Sequence, residues 1–126
     1  MFPFPFGLGY VRPPAVTQGT ATSESSTTDS STYTFTTVGA SIAIDEFPLI
    51  AIHGRSGSSM DFSSVTLGGV ACTQLYNVAN GLSRVAWYSA PRGTKGNLVI
   101  NWNATAVRCL VGIIPLKNLA SDTTVT

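Results

Sequence analysis

The chain predicts an all-β fold of antiparallel strands, on three observations. Short apolar runs, alternating or continuous, recur between turns rich in Gly, Pro and Asn from about residue 31 to residue 119. No segment of about ten residues or more combines helical spacing with capping residues. No connection between runs reaches the dozen or so residues that a parallel crossover needs. A two-layer antiparallel β-sandwich, immunoglobulin-like or jelly-roll, satisfies all three and is preferred to a closed barrel.

The strands follow in order. STYTFTT alternates Tyr33 and Phe35 with threonines, as a half-buried edge strand does. Ser41–Ile44 (SIAI) gives a short second strand. Phe47–His53 (FPLIAIH) is almost continuously apolar, which suits a central strand, with Pro48 confined to its start. Val65–Leu67 runs into Gly68-Gly69, a tight turn or bulge, and Val70–Tyr76 resumes after it. Asn80-Gly81 is the strongest hairpin signal, because both residue types tolerate positive φ. Leu82–Ala90 follows and Pro91-Arg92-Gly93 breaks it. Leu98–Trp102 and Val107–Leu116 are the last two strands, with Asn103-Ala104-Thr105 read as the turn between them rather than as a glycosylation site.

Alternation within these strands nominates a core: Ile50, Ile52, Val70, Cys72, Val85, Trp87, Leu98, Ile100, Cys109, Val111 and Ile113, with Trp102 as a further anchor. Cys72 and Cys109 lie in apolar runs and read as buried thiols, with a disulfide between facing strands as the alternative. Two cysteines and the single His53 fall short of a four-ligand zinc set, so no metal and no cofactor is expected.

The segment before this body differs sharply from it. Met1–Pro14 (MFPFPFGLGYVRPP) alternates Phe2, Phe4 and Phe6 with prolines, which forbids a helix and favours extended geometry. Such an arm has no means of burying its own rings. Phe2, Phe4, Phe6, Leu8, Tyr10 and Val11 are therefore expected to bind a partner. Residues 15–30 are Ser/Thr-rich and almost without apolar side chains, as a linker would be. The sandwich is expected over residues 31–119. The tail 120–126 looks like the start of a further strand in a longer native chain, or a segment lying along a neighbour.

Charged residues make up 10% of the chain, against about 25% in ordinary soluble domains, so much of the surface is expected to be covered in an assembly. The seven Lys and Arg are scattered, which gives no footprint for nucleic acid. No apolar run approaches the roughly 18 residues that cross a bilayer. The N-terminus lacks the basic region of a signal peptide, so synthesis in a cytoplasm is expected.

Catalytic chemistry is sparse, and no enzyme is expected. Glycoside hydrolysis needs two carboxylates across a cleft. Of the six acids, Glu24, Asp29 and Asp122 fall outside the expected body strands, and the adjacent Asp45 and Glu46 read as a polar turn. Asp61 could in principle pair with Asp45, but nothing in the sequence gives a reason to expect it. His53, Asp61 and a serine supply the residue types of a nucleophilic triad, but Gly54–Ser59 (GRSGSS) lacks the strand-to-helix elbow and reads as a flexible loop. His53 reads as an interior or rim histidine.

Three segments taken in order, SSVTLGGVACTQL (Ser63–Leu75), VAWYSAPRGTKGNLVINW (Val85–Trp102) and VRCLVGIIPL (Val107–Leu116), resemble a β-sandwich domain of small virion proteins of tailed bacteriophages. The resemblance spans residues 42–118, about 60% of the chain. It implies a structural virion protein, either a capsid decoration protein or a head or tail fibre component. Its partners would be capsid, portal or tail subunits and other copies of itself, and it carries no catalytic residues. An anchor peptide followed by a tether suits a protein hung on a particle. The alternative is a carbohydrate-binding module for host glycan, with Tyr76, Trp87, Tyr88 or Trp102 as stacking platforms.

Overall fold

The structure, a computed structural model, describes residues 15–119. The aromatic arm, with Phe2, Phe4, Phe6, Leu8, Tyr10 and Val11, and the extension 120–126 lie outside these residues. Nine strands and no helix make up the described part: β1 Thr17–Gln18, β2 Thr22–Ser26, β3 Ser30–Phe35, β4 Phe47–Ser56, β5 Phe62–Leu67, β6 Val70–Ala71, β7 Thr73–Asn80, β8 Ser83–Ser89 and β9 Leu98–Lys117. Every pairing between them is antiparallel. The all-β antiparallel class predicted from the sequence is the class observed.

Strand β9, twenty residues long, is the spine. β1, β2 and β3 run end to end along it, from Thr17 opposite Lys117 to Phe35 opposite Leu98. β4 and β5 do the same, from Phe47 opposite Leu116 to Leu67 opposite Leu98. β8 and then β7 extend the sheet beyond β4, and β6 extends it beyond β5. Hydrogen bonding is thus continuous through one sheet, not divided between two.

Three irregularities in the ladders line up across this sheet, while a fourth, between Gln74 and Tyr76 of β7, lies apart from them. β3 shifts register between Ser30 and Thr32, β4 between Arg55 and Ser56, and β5 between Phe62 and Ser64. Bulges bend a strand and increase its twist, so a row of them makes a fold line. The sheet curls there, and residues from both sides of the line share one core. Tyr33, Phe35, Val65, Leu67, Leu98 and Ile100 come from one side, and Ile50, Ile52, Ala86, Tyr88, Cys109, Val111 and Ile113 from the other.

Four expectations are corrected. Asn103-Ala104-Thr105 does not reverse the chain; it is where β9 bends, held by Asp61 N to Asn103 Oδ1 (2.8 Å) and Ser56 Oγ to Thr105 O (2.6 Å). Residues 15–30 are not a free linker, because β1 and β2 dock on β9. Their hold is polar: Glu24 accepts the N–H groups of Thr37 and Val38 at 3.0 and 3.1 Å, and Thr22 Oγ1 donates to Val38 O at 2.8 Å. Ser41–Ile44 is turn rather than strand, with Ile44 exposed. Gly54–Ser56 of the expected loop belongs to β4.

Gly68-Gly69 is a tight hairpin turn, and the hairpin read at Asn80-Gly81 is present one residue later. Leu67 pairs with Val70 across Gly68-Gly69, whose φ values of 58° and 82° suit a type I′ turn. Asn80 pairs with Ser83 across Gly81-Leu82, with Gly81 at φ 62°.

Candidate functional site

The curl gives the half-sheet β7-β8-β4-β9-β2 an inner face in the core and an outer face in solvent. Side chains alternate between them. Ile50 and Ile52 of β4, Ala86 and Tyr88 of β8, and Cys109, Val111 and Ile113 of β9 point inward. Their neighbours point out, and register places these in rows across the sheet. Tyr76, Trp87, Ala51, Gly112 and Ser23 form one row, and Val78, Val85, His53, Leu110 and Ser25 the next.

The first row carries large rings at one end and Ala, Gly and Ser beyond them. This step in side-chain size opens a trough of about 270 Å³ floored by Ala51 and Gly112 and walled by Trp87, Val85, His53 and Leu110. It has the size of a side-chain socket rather than of a pocket for a whole ligand, which spans about 300–1,000 Å³. The surrounding face is apolar and open: Tyr76, Val78, Val85 and Leu110 are 55%, 40%, 38% and 48% exposed. Two rows from the trough floor, Arg55 of β4 lies opposite Arg108 of β9, both exposed. Like charges in directly opposed positions repel, and neither arginine is ion-paired within the described residues. The face therefore runs from aromatic and apolar to cationic.

Val85 and Trp87, expected in the core, stand on this outer face, because the register of β8 sends Ala86 and Tyr88 inward. Val70 is likewise exposed and Cys72 only half-buried. The four aromatics considered for sugar stacking separate into two pairs. Tyr88 and Trp102 are core residues, whereas Tyr76 and Trp87 are cross-strand neighbours on the open face. What the sequence reading missed is the trough itself. Its floor consists of Ala51 and Gly112, small residues whose shared row depends on register between strands far apart in the chain.

The catalytic candidates do not converge. His53 lies on the outer face beside the trough. Asp61 sits in a network that ties β7 and β8 to the segment before β5. Asn77 Nδ2 donates to Asp61 Oδ1 at 2.9 Å, Arg84 Nη1 donates to Asn77 Oδ1 at 2.8 Å, and Arg84 Nε donates to Met60 O at 2.8 Å. The Asn77 amide, outweighing the opposing effect of burial and aided by the Phe62 N–H and Arg84, holds the Asp61 carboxyl below its ordinary value. Asp45 pairs instead with Lys117 at 3.5 Å. Among the described residues, no three His, Cys, Asp or Glu side chains gather into a metal-binding group.

Both cysteines are free thiols. Burial pushes Cys72 up to about 11 and Cys109 up to about 12, the latter against a small opposing pull from the Trp102 indole. That indole N–H is itself buried without a hydrogen-bond partner of good geometry. Neither thiol has the thiolate character of a nucleophile.

No protein-family model, curated protein or solved structure matches the chain.

Proposed function

We propose that this chain is a structural protein of a tailed-bacteriophage particle, a capsid decoration or head or tail fibre component held by its aromatic arm. The observation that carries an assembly role is the open apolar face of β7-β8-β4-β9, where Tyr76, Val78 and Val85 stand exposed side by side and Leu110 follows across His53. Contiguous exposed apolar surface of this kind marks interaction sites. The low charge content agrees with a surface meant to be covered. The particle type rests on the sequence resemblance.

Phe2, Phe4, Phe6, Leu8, Tyr10 and Val11 would anchor the chain to capsid, portal or tail subunits. Burying each ring contributes about 1.5–3 kcal/mol, and symmetric copies would add their effects through avidity. Particles carrying the full-length variant with Phe2, Phe4 and Phe6 changed to Ser should show at least a tenfold loss of occupancy. Normal occupancy of that variant would refute the anchoring role.

A second reading, binding of a host glycan, is favoured by one observation: Tyr76 and Trp87 are adjacent on the open face. Loss of glycan-array binding in Trp87→Ala would support it.

A further inference from the structure

We infer that the trough beside Trp87 receives the Phe–Pro arm of a second copy of this chain, linking copies head to tail. This rests on the reading of the arm as an assembly anchor and names its receptor.

The arm's chemistry fits a groove on a face. Its alternating rings and prolines give a pre-extended backbone with few N–H donors. Pro-rich segments of this kind dock into grooves lined by aromatic rings, through side-chain contact. The described surface offers such a groove where Tyr76 and Trp87 adjoin the small floor of Ala51 and Gly112. A socket of about 270 Å³ suits a ring from the Phe2–Phe6 repeat.

Geometry favours a second copy over the same chain. Ala15, whose carbonyl accepts a 2.9 Å hydrogen bond from Asn118 Nδ2, enters the sheet at the far end of β9. Gly112 lies five residues back along β9 from Lys117, about 17 Å at strand rise. A chain running backwards from Ala15 points away from the trough and would have to reverse sharply to reach it. Pro13-Pro14 at the exit opposes a tight turn, since Pro is disfavoured at the third position of a type I turn. A reversal at Gly7–Gly9 would return Phe2–Phe6 only to the level of Ala15. Fourteen residues held extended instead reach roughly 40 Å outward, enough to meet a neighbour. Charge sets the direction of entry. Arg12 is the arm's only charged side chain, so it lies away from the Arg55–Arg108 end of the face. A contact of arm to trough is heterologous, so it propagates into rings or rows rather than stopping at a symmetric pair.

The test uses the full chain with p-benzoylphenylalanine in place of Phe4, mixed with isotope-labelled copies that lack the photoreactive residue. Cross-links between differently labelled chains, mapped to residues 85–87 or 110–112, are the expected result. Gly112→Val should lower their yield at least tenfold with unchanged circular dichroism. A Cβ at Gly112 meets only the Thr22 carbonyl oxygen, at 3.4 Å, and valine suits a strand. Ala51→Val provides a second variant if the first folds poorly. Cross-links within single chains only, cross-links elsewhere on the surface, or an unchanged yield in both variants would overturn the proposal. If copies fail to cross-link yet the triple Phe→Ser variant still loses particle occupancy, the anchoring role stands and its receptor is another virion protein.

Discussion

At Gly54 strand β4 passes so close to the Trp102 ring that a methyl group has no room. A Cβ there would collide with Trp102 Cζ2, lie 2.6 Å from Cη2 and sit 2.9 Å from Met60 Cε. The indole cannot retreat easily, because Phe62 stacks on it at 4.2 Å. Gly54→Ala should therefore lose about 1–3 kcal/mol through overpacking, seen as a lower urea midpoint at unchanged slope. Asp61 gives a pH signature nearby. Its carboxyl is held below the ordinary value, so the folded chain binds that proton less tightly than the unfolded chain does. The stabilisation is complete above the ordinary carboxylate pKa near 4 and fades as pH falls through the lowered folded value. Asp61→Asn should lower the melting temperature at pH 7 and leave a shallower decline below about pH 4. A decline as steep as wild type would remove Asp61 from the acid response. The sequence offered Asp61 as a possible partner of Asp45 or member of a triad and missed its actual partners, Asn77 and Arg84, because these come from β7 and β8. Trp102 was legible as a core residue and Trp87 was misplaced. Alternation says which residues share a face, but not which face is covered.

Among the elements, β4 was plainest in the sequence, because Phe47–His53 is almost continuously apolar and bounded by turn residues, although only its inner face is fully buried. β9 was legible as two strands and not as one. Asn103-Ala104-Thr105 has the composition of a turn, and whether such a segment reverses or only bends depends on its partners at Asp61 and Ser56. β2 was illegible for the opposite reason. TSESS has no apolar residue to bury, and it is held by the ladder to β9 and by the Glu24 carboxylate. Without that carboxylate, two backbone N–H groups at Thr37 and Val38 lose their acceptor. Glu24→Ala should cost about 1 kcal/mol, because the site is partly solvated. It should also speed amide exchange at residues 22–26, 37 and 38, while β4 and β8 stay protected. Uniform exchange across the sheet would mean that β2 does not come away as a local unit.

At the scale of the molecule, one curled sheet has to satisfy two environments with one alternating pattern. The inner face closes on itself, and the outer face of β7-β8-β4-β9 has nothing in its own chain's described residues to cover it. Residues on opposite faces of β9 separate the two demands. Ile113 is fully buried, and Leu110, three positions away, is 48% exposed. Ile113→Ala removes core volume and should cost about 2–5 kcal/mol. Leu110→Glu places a carboxylate in solvent two positions from Arg108 on the same face. Its effect on stability should stay within about 0.5 kcal/mol. A charge there would have to be desolvated under any apolar partner, so sedimentation velocity should find self-association lost in Leu110→Glu with its thermal melt preserved. Unchanged association would place the contact surface elsewhere. Loss of both association and fold would mean that Leu110 serves the domain itself rather than its neighbours.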